Sequence, residues 1–190
     1  EMCIRDRSLR LAEMVYNIDN KNIIAVKSFF EAFYKTNIFY KNISKIDITC
    51  KRAFISPFCS KIFIISDNRY YIIDRFGNKI FENAKKRDIL SVVFSADNSR
   101  LVIATNDSTV TVHDTVGNRL LRIEEKSLVK HATISPDNLV ILTCNSNNTI
   151  NMWDADGEKF KSLSGHSDQV LFADFSQNSD LIVSTGLDNK

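Results

Sequence analysis

The chain has 190 residues, 44% of them hydrophobic, and its 25 basic and 23 acidic side chains leave a formal charge of +2. That balance suits a folded globular protein and argues against a nucleic-acid or membrane binder. The densest basic run, Lys85-Lys86-Arg87, is short enough to read as a solvated connection instead of a phosphate patch.

The four cysteines, Cys3, Cys50, Cys59 and Cys144, form no CxxC pair and no ligand spacing with the three histidines. Neither a disulfide framework nor a metal site is expected, no cofactor motif is present, and a reducing, cytoplasmic setting fits. No apolar run approaches the roughly 18 residues of a membrane span.

Taken in chain order, EMCIRDRS at 1–8 reads as the translation of a sequencing adapter, a non-native leader set aside from fold reasoning. Residues 9–45 admit two readings: the strands of a degenerate repeat, or an amphipathic helix across AVKSFFEAFYK. From residue 46 a period emerges. DRFGNKIF, DTVGNRLL and DADGEKFK place Gly77, Gly117 and Gly157 at intervals of 40 residues.

Around each glycine the pattern is strand, turn, strand. RLVIAT and TVTVHD flank NDS, NLVILTC and TINMWD flank NSNN, and the β-branched and aromatic enrichment marks strands on either side of polar turns. A short strand follows each glycine, as in NKIF, NRLL and EKFK. Another precedes each set, as in LSVVFS, VKHATIS and LFADFS. Four short strands per ~40 residues predict an antiparallel all-β repeat that must bury its faces against neighbours.

Phe94-Ser95-Ala96-Asp97, Ile134-Ser135-Pro136-Asp137 and Phe175-Ser176-Gln177-Asn178 resemble the F-S-P-D turn of the WD-repeat family. Trp153-Asp154 is the WD dipeptide, and Gly165-His166 is the GH dipeptide that opens such a repeat. The resemblance implies a partial β-propeller of four-stranded antiparallel blades, about four and a half of them. Its units are 46–86, 87–126, 127–166 and a truncated 167–190, with 9–45 as the degenerate blade, so the chain reads as a fragment of a longer protein.

His166, Ser184 and Asp188 supply the residue types of a nucleophilic triad. The resemblance implies a structural role instead, because a GH histidine, a strand Ser or Thr, a turn Asp and the WD tryptophan form a buried network within one blade. Thr143 and Trp153 carry the same positions in the unit from residue 127, where Glu125 replaces the histidine and Asn147 the Asp. Asp107 carries the turn position in the unit before, where Lys85 and His113 replace His and Trp. Both networks are expected to be incomplete.

An active site has no positive sign, so the chain is expected not to be an enzyme. The resemblance implies a non-catalytic protein-interaction scaffold, holding proteins or peptides in a multiprotein complex, with neither nucleic acid nor membrane as partner. The alternative is the sensor or docking portion of a larger multidomain protein whose kinase or nucleotide-switch domain lies outside this stretch. Asp156 stands where a cullin-ligase subtype would carry Arg, and no adjacent arginines mark a phosphoinositide-binding subtype. In this fold the loops joining second to third strands share one face with those leading into each first strand. Ser66, Asn106, Ser146 and Leu187 from the former, with Arg87, Asp88, Lys126, Asp168 and Gln169 from the latter, are the candidate partner-binding residues.

Overall fold

A computed structural model describes residues 48 and 50–190; the leader at 1–8 and the choice between blade and helix at 9–45 lie outside the described residues. The described residues are all β. The first sheet holds β1 (Arg52–Ile55), β2 (Lys61–Ile65), β3 (Arg69–Asp74) and β4 (Lys79–Ala84), and the second β5 (Ile89–Phe94), β6 (Arg100–Thr105), β7 (Thr109–Asp114) and β8 (Arg119–Glu124). The third holds β9 (Val129–Ile134), β10 (Val140–Asn145), β11 (Thr149–Asp154) and β12 (Lys159–Ser164), and β13 (Val170–Phe175) pairs with β14 (Ile182–Gly186) in a fourth. Every sheet is an antiparallel meander in sequence order. The described residues thus form part of a β-propeller, three complete blades and two strands of another.

Position in the blade decides which residues are buried. On β6 the run Leu101, Val102, Ile103 and Ala104 is buried on both faces, because neighbouring sheets cover both sides, and its sequence is accordingly continuous instead of alternating. Outer strands differ: β12 is mostly exposed and reads KFKSLS. The innermost strands β5, β9 and β13 lie side by side, and Ala132 N–H donates to Ser91 Oγ at 3.1 Å across the gap.

The recurring phrase around the glycines has two causes. Asp114 Oδ1 accepts from the backbone of Val116 and Asn118 at 3.0 and 2.8 Å, and Asp74 and Asp154 close their turns in the same way. Gly77, Gly117 and Gly157 then take φ of 88, 102 and 88°, conformations that disfavour side chains. Space is the second cause. A Cβ on Gly117 would stand 2.1 Å from the Phe81 ring of the preceding blade, and one on Gly157 2.7 Å from Leu121.

The turns after the first strands tie blades together at the same end. Asn98 and Asn138 adopt φ of 61 and 63°. From there Asn138 Nδ2 donates to Asp97 Oδ2 at 2.8 Å, and Asn98 Nδ2 donates to Ser60 Oγ at 2.7 Å, each reaching the corresponding turn of the blade before. Ser179 bonds Asp137 in the same sense. This repeated contact aligns the four sheets, so their opposite ends also form one surface.

Candidate functional site: the loop end of the blades

At that opposite end, two sets of loops meet. Asn106 N–H donates to Asp88 O, Ser146 N–H to Leu128 O and Leu187 N–H to Gln169 O, each at 2.9 Å, so the turns after the second strands are fastened to the segments leading into the first. The candidate binding residues are thereby brought together in pairs on a rigid base. Asp88, Asn106, Lys126, Asp168 and Leu187 are exposed, while Ser146 and Gln169 are half-buried.

Two candidates sit differently from their sequence reading. Ser66 is buried, 7% exposed, and Asp67 and Asn68 take the solvent-facing places of its turn. The hairpin from Lys61 to Asp74 is one residue shorter than those from Arg100 to Asp114 and from Val140 to Asp154, which shifts its turn by one position. Arg87 is exposed but pairs with Asp107, its Nε 3.0 Å from Oδ2.

Beneath the loops of the last blade, His166 Nδ1 lies 2.8 Å from Asp188 Oδ1 and Nε2 lies 2.9 Å from Ser184 Oγ. The imidazole therefore stands between hydroxyl and carboxylate, as in a nucleophilic triad. Asp188 has structural duties as well: its Oδ2 accepts from Ser167 N–H at 3.0 Å, which anchors the incoming loop. The hydrogen bond from His166, reinforced by those from the backbone, holds the Asp188 carboxyl down at about 2. Gly186 is confined by this cluster, since a Cβ there would lie 2.7 Å from His166 Nδ1.

In the third blade the network lacks its turn member, Asn147, but is extended by other side chains around Glu125. Trp153 Nε1–H donates to Thr143 Oγ1 at 3.0 Å, and the Thr143 hydroxyl donates onward to Glu125. Glu125 also accepts from Asn145 Nδ2 at 3.2 Å and from Asn151 Nδ2 at 2.8 Å, and Ser162 Oγ donates to Asn151 Oδ1 at 2.7 Å. An acceptor-only carboxylate has replaced a histidine, and two asparagines supply the missing donors. Asn147 stays in its turn, accepting from Thr149 Oγ1.

The second blade has no such network. Thr105 Oγ1 donates to Asp107 Oδ1 at 2.6 Å, a bond that holds the Asp107 carboxyl below its usual range with further help from Thr109 and Arg87. His113 is buried, which pushes its pKa down, and it turns to Gly117 O and Thr111 Oγ1 at 3.2 and 3.0 Å. His131, also lowered by burial, lies with its ring centroid 4.4 Å from that of Phe172. Among the described residues, no group of three His, Cys, Asp or Glu side chains is placed to hold a metal ion.

The far end of the blades carries a feature that the sequence reading missed. Phe58, Phe76, Val116, Leu139 and Leu181 are each more than half exposed at its turn tips. A turn position following the S-P or D-x pairs was the available signal.

The description WD domain, G-beta repeat (WD40) matches at residues 78–114, 119–154 and 157–190. The chain belongs to the WD40 repeat family. Each complete WD40 match takes the outer strand of one sheet and the first three strands of the next, so the sequence repeat and the structural blade are offset by one strand. WD40 repeats generally serve as protein-interaction scaffolds and are generally non-catalytic. No curated protein matches the chain.

Proposed function

We propose that the protein is a non-catalytic docking scaffold that receives a partner protein or peptide at the loop end of its blades, within a multiprotein assembly. The observation that supports this is the fastening of two loop sets to each other, which offers polar, exposed side chains on a base that does not need to rearrange. His166, Ser184 and Asp188 serve that base, joining the last turn to its incoming loop. Cys144 is a free thiol buried in the core, in keeping with a reducing, cytoplasmic setting.

Lys126 and Asp168 suit a test better than Arg87, whose reversal would break its pair with Asp107. Lys126→Glu with Asp168→Lys should abolish capture of partners in a pull-down while leaving the melting temperature within about 2 °C, as for surface changes of roughly 0.5 kcal/mol or less. A fluorophosphonate should leave Ser184 unlabelled. Capture that survives the double change and disappears with Phe58→Ser and Leu139→Ser would move the binding surface to the opposite end.

A further inference from the structure

The face of the second blade that corresponds to the Glu125 network of the third is open. Forty residues upstream, Ile103 stands for Thr143, Thr105 for Asn145, Thr111 for Asn151, His113 for Trp153 and Lys85 for Glu125. The acceptor at the centre has become a cation, and the large indole and both amides have become smaller groups. Two adjoining hollows of about 480 and 290 Å3 result, with Lys86, Arg87, Thr105 and Thr111 as shared walls.

Hydroxyl groups contribute shape here more than bonding. A carbonyl can only accept, so the neutral His113 carries its proton on Nδ1 toward Gly117 O, and Nε2 accepts from Thr111. Thr105 is directed at Asp107. The groups left to meet a ligand are the cations and the Tyr70 hydroxyl, which accepts from Asn83 Nδ2 and keeps its own proton to donate.

Five cations line the two hollows: Lys85, Lys86, Arg87, Arg119 and Arg122. Three are balanced, Lys85 by Asp88 at 3.1 Å, Arg87 by Asp107 at 3.0 Å and Arg122 by Glu124 at 2.8 Å. Among the described residues, Lys86 and Arg119 form no ion pair with a carboxylate, so five against three leaves two positive charges.

We propose that this cleft between the first and second blades binds the phosphate of a phosphorylated serine or threonine carried by a partner peptide. A phosphomonoester bears close to two negative charges and three acceptor oxygens, matching the two uncompensated cations better than a carboxylate does. Arg119 can meet it in bidentate fashion and Lys86 as a point charge. The mouth adjoins the 85–88 segment of the loop end, so the inference rests on the reading that partners approach there.

The full chain is titrated by fluorescence anisotropy with a labelled Gly/Ala peptide carrying one phosphoserine, with the same peptide carrying Ser or Glu, and with neutral vesicles doped with phosphoinositide. The phosphoserine peptide should bind at least about tenfold more tightly than the other two peptides. Lys86→Ser with Arg119→Ser, both exposed positions, should remove that preference without moving the melting temperature. Equal affinity for the three peptides, an undiminished preference in the double variant, or binding to the vesicles alone would each overturn the inference. Lys126 and Asp168 lie outside the cleft, so the two readings separate. Partner capture unaffected by Lys126→Glu with Asp168→Lys, alongside phosphopeptide binding, removes only the docking surface. Partner capture lost with no phosphopeptide binding removes only the cleft.

Discussion

Thr143 is fully buried and uses one hydroxyl twice, accepting the Trp153 indole N–H and donating to Glu125. Thr143→Val keeps the shape and leaves the indole donor and one carboxylate position unpaired. A loss of about 1–3 kcal/mol is expected, read from urea unfolding with an unchanged m-value. A loss below roughly 0.5 kcal/mol would show that the network has no energetic role beyond ordinary surface contacts. At this scale the sequence was only partly legible. Thr143 and Trp153 could be placed because strand and turn positions recur every 40 residues, but the roles of Asn145, Asn151 and Ser162 could not. Asn145 and Asn151 meet Glu125, 20 and 26 residues away in sequence, Ser162 joins through Asn151, and nothing local marks an amide on a strand as a donor to that carboxylate. Ser66 shows the converse case, a polar turn residue whose burial follows from a one-residue shortening.

Strands and turns were more legible, because each is dictated locally. The stretch RLVIAT is β6 from Arg100 to Thr105, and the Asp-x-x-Gly turns follow from hydrogen bonds within five residues. What local sequence could not reveal is that the same glycines are also pressed by the preceding blade. That contact yields an ordered prediction. Gly117→Ala meets the Phe81 ring at its root as well as its edge, and the rigid ring cannot swing aside; the cost should be roughly 2 kcal/mol or more from strain and overlap together. Gly157→Ala meets the end of the Leu121 side chain, which can change rotamer, so the loss should be smaller. Adding Phe81→Ala should recover part of the Gly117→Ala loss in a double-mutant cycle, and strictly additive losses would mean that the close approach is not what selects glycine.

At the scale of the whole molecule, blades cohere through apolar faces and through the turn contacts that pass from each blade to the one before. Asp97 is central to the second kind, since it caps its own turn and accepts from Asn138 of the next. Partial burial works against its charge, but hydrogen bonds from Ser95, Ser99 and Asn138 outweigh that effect and hold the carboxyl at about 2. An unfolded Asp titrates near about 3.9. With the folded value depressed, the native state binds its proton less readily, so the contribution of Asp97 to stability is complete above about pH 4 and is lost as pH falls toward 2. Asp188, also held at about 2 but through His166, loses its contribution over the same window at the other end of the fold. Urea midpoints measured from pH 7 down to pH 2 should therefore decline first below about pH 6.5, where the unfolded chain protonates His113 and His131 more readily than the native state does, and again below about pH 4 as the carboxylates take up protons. Asp97→Asn keeps an acceptor for Asn138 but has no proton to take up, so its midpoint should start lower at pH 7 and decline less steeply below pH 4. Parallel acid limbs for the two proteins would show that the turn contact does not depend on the charge of Asp97, leaving the apolar faces to hold neighbouring blades together.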